Sequence, residues 1–204
     1  MDGQIQPAVR SSLAATIHTP RYVVSTAILI EPTPKYLYDA IDIEPFAEAG
    51  DSYFQYLVGV AYEHGVGGVL QNHLTALSWY VRAANNNQVL AMYNLANLYL
   101  HGQIDFLSET GARYWFELAA EEGHELSMYN LGVMHYVGIG SIPQNDSEAL
   151  RWFERAAEAR FIPAMRNLTA MYMNNDGIKP NHSKALYWAQ QAAIEGERPK
   201  THAA

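Results

Sequence analysis

The chain has 204 residues, 49% of them hydrophobic and 17% charged, with a net charge of −8 and no cysteine. This composition supports a buried core in one or two domains and excludes general disorder, and the lack of thiols excludes disulfides, thiolate zinc sites and cysteine nucleophiles. Residues 36–112 carry eight acidic side chains and one basic, Arg82, so phosphate backbones would be repelled and no nucleic-acid binding is expected.

The first 48 residues stand apart from the rest. The apolar run from Tyr22 to Ile30 is shorter than the roughly 20 residues of a membrane-spanning helix, and it lacks the cleavage site of a signal peptide. No membrane insertion and a cytoplasmic location are therefore expected. Its β-branched residues predict an extended segment that covers apolar repeat surface. Residues 35–50 predict a partial helical cap. Pro45 ends any long helix there, and Gly50 precedes Phe54 as Gly123 precedes Ser127.

From residue 50 onward the chain repeats itself. Its four tryptophans, Trp79, Trp115, Trp152 and Trp188, are 36, 37 and 36 residues apart, a period that indicates stacked supersecondary units. An alanine lies three residues before each (Ala76, Ala112, Ala149, Ala185), and an alanine pair begins four residues after each. These offsets share one helical face, a packing stripe for a helix pressed between neighbours. Asn72, Ser108, Asn145 and Asn181 stand where an N-cap is needed, and Glu148 follows Asn145 at capping-box spacing. Gly123 and Gly196 close two of these helices.

Another helix precedes each tryptophan helix. Val58, Leu95, Leu131 and Leu168 align, with Tyr62, Tyr99, His135 and Tyr172 one turn later. Gly65–Gly68 and Gly138–Gly140 supply turns between the paired helices.

Together these residues resemble the Sel-one-like repeat (SLR), a relative of the tetratricopeptide repeat, across residues 50–196. The resemblance implies an all-α fold: an α-solenoid of four SLR helix pairs with an irregular N-terminal cap. The expected organisation is an N-terminal extension and degenerate cap (1–48), four repeats within 49–196 (about 50–87, 88–123, 124–160 and 161–196), and a tail (197–204). Departures from the family pattern are His135 for Tyr, Asn175 for Gly, Ala96 for the helix glycine, and a glycine-poor turn at Gln103–Leu107.

Chemical motifs are weak. No H-E-x-x-H, phosphate loop or G-x-S-x-G occurs, so no catalytic residue, metal or cofactor is assigned. In tetratricopeptide folds the first helices line the concave surface, and the resemblance carries that role onto Tyr53, Tyr56, Glu63, His64, Tyr93, Asn97, His101, Tyr129, Tyr136, Arg166 and Met173. Tyrosine suits a protein-binding surface. Tyr56, Tyr93 and Tyr129 also match the family's ordinary packing consensus, leaving both roles open. Glu63, His64, His101, Tyr136 and Arg166 depart from that consensus and are the stronger contact candidates.

The implied function is a non-enzymatic adaptor or scaffold. SLR proteins are common in bacteria, and a specific form is an immunity protein that neutralises a secreted toxin effector. The acidic N-terminal half predicts a partner with a basic surface. The last repeat, around Tyr187, Ala189 and Ala193, is expected to support self-association or partner contact. The alternatives are an enzyme or binder of cell-wall compounds, and a structural subunit of an envelope or secretion assembly.

Overall fold

The computed structural model describes residues 39–101, 108–139, 142–174 and 178–197, and within them every regular element is an α-helix. The helices are α1 (Ala40–Glu48), α2 (Ser52–His64), α3 (His73–Asn85), α4 (Val89–His101), α5 (Glu109–Glu121), α6 (Glu125–Val137), α7 (Asp146–Glu158), α8 (Ile162–Met173) and α9 (His182–Glu197). The Tyr22–Ile30 segment, the Gln103–Leu107 turn and Asn175 lie outside the described residues.

Each helix packs against its neighbours in the chain, and α2 also touches α4. Four units follow: α2 with α3, α4 with α5, α6 with α7, and α8 with α9. This is the expected all-α repeat architecture. All four polar residues at the second-helix starts act as caps. The Asn72 side chain accepts from the Leu74 and Thr75 N–H groups, Ser108 from Gly111, Asn145 from Glu148 and Asn181 from Lys184. Each satisfies donors that the first helical turn leaves without partners.

Left-handed residues join consecutive units. Gly50 (φ 100°), Asn87 (59°), Gly123 (90°) and Arg160 (69°) occupy equivalent positions ahead of α2, α4, α6 and α8. Gly50 thus marks α1 as the counterpart of a second helix. α1 also joins the core through Ile43 and Ala47. Its buried contact is completed by Gln55, which donates to the Ala47 carbonyl at 3.0 Å and accepts from Asn86 at 3.1 Å.

Size complementarity fixes how closely the helices of a unit approach. A Cβ on Gly59 would lie 2.5 Å from the Tyr80 ring, and one on Gly132 would lie 2.6 Å from Phe153. Those rings are fully buried, so the missing side chain on the first helix makes room for the aromatic on the second. At the same positions the second unit pairs Ala96 with Phe116 and the fourth pairs Thr169 with Ala189. On the second helices Trp79 and Trp152 are buried, and Trp115 and Trp188 half-buried. Trp115 packs against both the N-terminal and the C-terminal core clusters, joining them.

Three local expectations are corrected. Pro45 does not end α1 but sits inside it. The carbonyl its missing N–H would have engaged belongs to Ile41, an exposed residue that water can solvate. Asn145 caps α7, but Glu148 does not complete a capping box: it pairs with Arg151 at 2.9 Å, and the Asn145 N–H goes to the His135 carbonyl at 2.8 Å. Gly196 lies within α9 rather than ending it. At Gly123, by contrast, the chain must turn into α6, and the bond from His124 N–H to Ala119 O closes the helix end.

Candidate partner-binding surface

The four first helices, α2, α4, α6 and α8, hold all the residues assigned to the groove. The structure divides them by depth. Tyr53, His64, His101 and Arg166 are exposed, and Tyr136 and Met173 are half-buried. Tyr56, Glu63, Tyr93, Asn97 and Tyr129 are buried.

The three tyrosines that match the packing consensus are all buried. Tyr93 and Tyr129 have no exposed surface. Tyr93 lies 5.7 Å from Phe116 and 4.9 Å from His124, and Tyr129 lies 5.6 Å from Phe153 and 5.4 Å from Phe161. These are core-forming contacts between successive helices, with centroid spacings typical of aromatic pairs. Tyr56 stands 6.1 Å from Tyr80 and 6.2 Å from the exposed Tyr53, placing it at the core margin. Asn97 donates to its own helix at the Tyr93 carbonyl, and its buried Oδ1 has no partner among the described residues.

Glu63 belongs to a polar triad that spans three helices. Tyr80 of α3 donates its hydroxyl to Glu63 Oε2 at 2.5 Å, and Asn94 of α4 donates to the same hydroxyl oxygen at 2.9 Å. Burial raises the Tyr80 phenol well above its ordinary pKa, and the Glu63 charge adds to that rise. His101, at the end of α4, lies close enough to feel Glu63. Although His101 is exposed as a residue, partial desolvation of its ring holds the imidazole below the usual value, and the carboxylate opposes the shift.

A second tyrosine–carboxylate pair occurs in the last two units. Tyr172 donates to Glu154 at 2.7 Å, and Lys184 donates to the Tyr172 hydroxyl at 2.9 Å while lying 3.6 Å from Glu154. Neither pair was picked out from the sequence. The available signal was Tyr80 itself, since the equivalent positions carry Phe116 and Phe153, and a buried phenol needs a hydrogen-bond partner where a phenyl does not.

Among the described residues no group of three or more His, Asp or Glu side chains is placed to hold a metal ion. Among them too, no helix is long and apolar enough to cross a membrane.

The stacked units match the Sel1 repeat family model over residues 52–88, 89–124, 126–161 and 162–197. The chain belongs to the Sel1 repeat family. It is 34% identical over 136 residues to chitin synthase regulatory factor 3 of Schizosaccharomyces pombe, a match that covers 66% of this chain and 14% of that protein. Among solved structures it is similar to a Sel1 repeat protein from Oxalobacter formigenes, at TM-score 0.69 and 25% identity over 78% of this chain and 64% of the other. It is likewise similar to a protective antigen of uropathogenic Escherichia coli strains with an SLR fold, at TM-score 0.71 and 26% identity, covering 78% of this chain and 33% of the antigen. The Sel1 units here carry His135 where the other three have Tyr62, Tyr99 and Tyr172. Burial holds the His135 imidazole below its ordinary value, and its Nδ1 has no partner among the described residues.

Proposed function

We propose that this Sel1 repeat chain is a non-enzymatic protein-binding module, an adaptor or scaffold, that meets its partner along the exposed rim of its first helices. The observation that carries the reading is the recurrence of polar and aromatic side chains that are exposed, or in the case of Tyr136 half-buried, on successive first helices. Tyr53 and His64 lie on α2, His101 on α4, Tyr136 on α6, and Arg166 on α8. Tyrosine and arginine dominate energetic contacts in protein interfaces, and a stack of units lines them up into one extended surface.

The partner is a protein. Its finer identity, a toxin effector held by an immunity protein, is supported only by the acidic N-terminal half, which would steer a basic partner. The test is affinity capture from the native cells with the wild-type chain and with a Tyr53→Ala, Tyr136→Ala, Arg166→Glu triple variant. A protein retained by the wild type and lost from the triple variant, with unchanged melting, is the expected result. Equal retention by both would move the interface away from the first helices.

A further inference from the structure

Glu63 is a carboxylate in an unfavourable place. It retains 8% exposure and sits in the last turn of α2, where the helix carbonyls already present negative partial charge. Among the described residues, the only side-chain donor on it is the neutral Tyr80 hydroxyl. Desolvated carboxylates are ordinarily paired with a cation.

Among the described residues nothing nearby supplies one. The one basic side chain between Lys35 and Arg113 is Arg82. It is committed elsewhere, bonded to both oxygens of Glu48 at 3.0 and 2.8 Å and stacked 4.2 Å from the Trp79 ring. His101 feels the Glu63 charge, but desolvation of its ring disfavours its proton. The other tyrosine–carboxylate pair shows the complete arrangement, because there Lys184 contacts both Tyr172 and Glu154. Among the described residues the Glu63 pair has the tyrosine and the carboxylate but no ammonium beside them.

We propose that the Glu63 carboxylate, backed by Tyr80 and bordered by His101, is the receptor for one lysine or arginine side chain of the protein partner. This rests on the proposed binding function and names the chemistry of one contact. Tyr80 and Asn94 fix the position of Oε2, leaving Oε1 as the acceptor for the incoming cation. A charge-assisted bond to a partly desolvated carboxylate is stronger than one at an exposed site, so a single buried contact would outweigh the diffuse acidity of Asp42, Glu44 and Asp51.

The test uses the full chain and three capped tripeptides, Gly-Arg-Gly, Gly-Lys-Gly and the neutral Gly-citrulline-Gly, with the His101 and Tyr80 ring resonances as readout. The arginine and lysine peptides should produce saturable shifts, and citrulline should not. Glu63→Gln keeps an oxygen for the Tyr80 hydroxyl and should weaken binding at least tenfold, whereas Asp51→Asn should leave it unchanged. His101→Lys would place an ammonium beside Glu63. It should abolish peptide binding and raise the melting temperature by about 2–4 °C, a gain absent when Glu63→Gln is also present.

Equal shifts with citrulline, or binding that survives Glu63→Gln, would overturn the proposal. So would a change in the His101 resonance of the free chain on replacing Arg10, Arg21 and Lys35 by Gln, since the cation would then be the chain's own. In each of these cases a partner still captured through Tyr53, Tyr136 and Arg166 would leave the binding function standing.

Discussion

The first and third units differ from the second and fourth in the same direction at several places. In the first and third, a glycine on the first helix receives an aromatic ring, and an arginine covers the tryptophan. Arg82 lies 4.2 Å from Trp79, and Arg155 lies 4.6 Å from Trp152. Both first helices end in a left-handed glycine, Gly65 and Gly138. In the second and fourth units Leu118 and Gln191 replace the arginine, and Trp115 and Trp188 are only half-buried. One sequence pattern is thus realised at two packing depths. The depth follows from residue volume and from an arginine lid three positions after the tryptophan.

The largest test of that contrast is truncation of the tryptophans. Trp152→Ala should cost about 3–5 kcal/mol, as for a large aromatic lost from a core. Trp188→Ala should cost well under half as much, because its surroundings on α9 are open. Urea midpoints with unchanged slopes would check both. Next is the glycine fit: Gly132→Val should cost about 1–3 kcal/mol through overpacking against Phe153. Gly196→Ala meets no atom within 4 Å and should be neutral or stabilise by up to about 1 kcal/mol.

Transplanting the lid is a smaller effect. Gln191→Arg should gain about 0.5 kcal/mol by covering Trp188, whereas Arg155→Gln should lose about as much from the cation–π contact. It should lose more in total, because Arg155 also donates to the Ala120 carbonyl at 3.2 Å. A gain at Gln191→Arg no larger than at the exposed Gln190→Arg would show that the lid adds nothing.

The smallest expected effect is on pH dependence. His101 and His135 have folded-state pKa values below those of the unfolded chain, which lie near 6.5. The unfolded chain therefore takes up protons first as the solution is acidified. The stability they contribute is complete above about pH 6.5 and is lost as pH falls through the folded values. His135→Tyr, which restores the residue of the other three units, should reduce the loss of stability between pH 7.5 and 5.5 and leave the remainder to His101.

The repeat was legible because tryptophan, alanine and N-cap positions recur in register, and each has a local physical reason to sit where it does. The depth of the tyrosines was not. Tyr53, five residues before Val58, is exposed, whereas Tyr93, two before Leu95, is fully buried, although the resemblance assigns both positions to the same groove. Arg160 and Asn87 hid their left-handed conformation because neither is the glycine that usually marks it. The Glu63–Tyr80–Asn94 triad joins residues 17 and 14 positions apart, separations at which no helical or strand period brings side chains together.

The central claim is that the first helices, and not the tryptophan helices, form the partner-binding face. Site-specific photocrosslinking tests it most directly, with benzoylphenylalanine placed singly at Tyr53, Tyr136 and Arg166 and, for comparison, at the exposed second-helix positions Leu74, Tyr114 and Tyr187, in the cells that naturally make the protein. The account predicts one crosslinked protein common to the three first-helix positions and absent from the second-helix positions. The same adduct arising from Leu74, Tyr114 and Tyr187, with none from Tyr53, Tyr136 and Arg166, would contradict it.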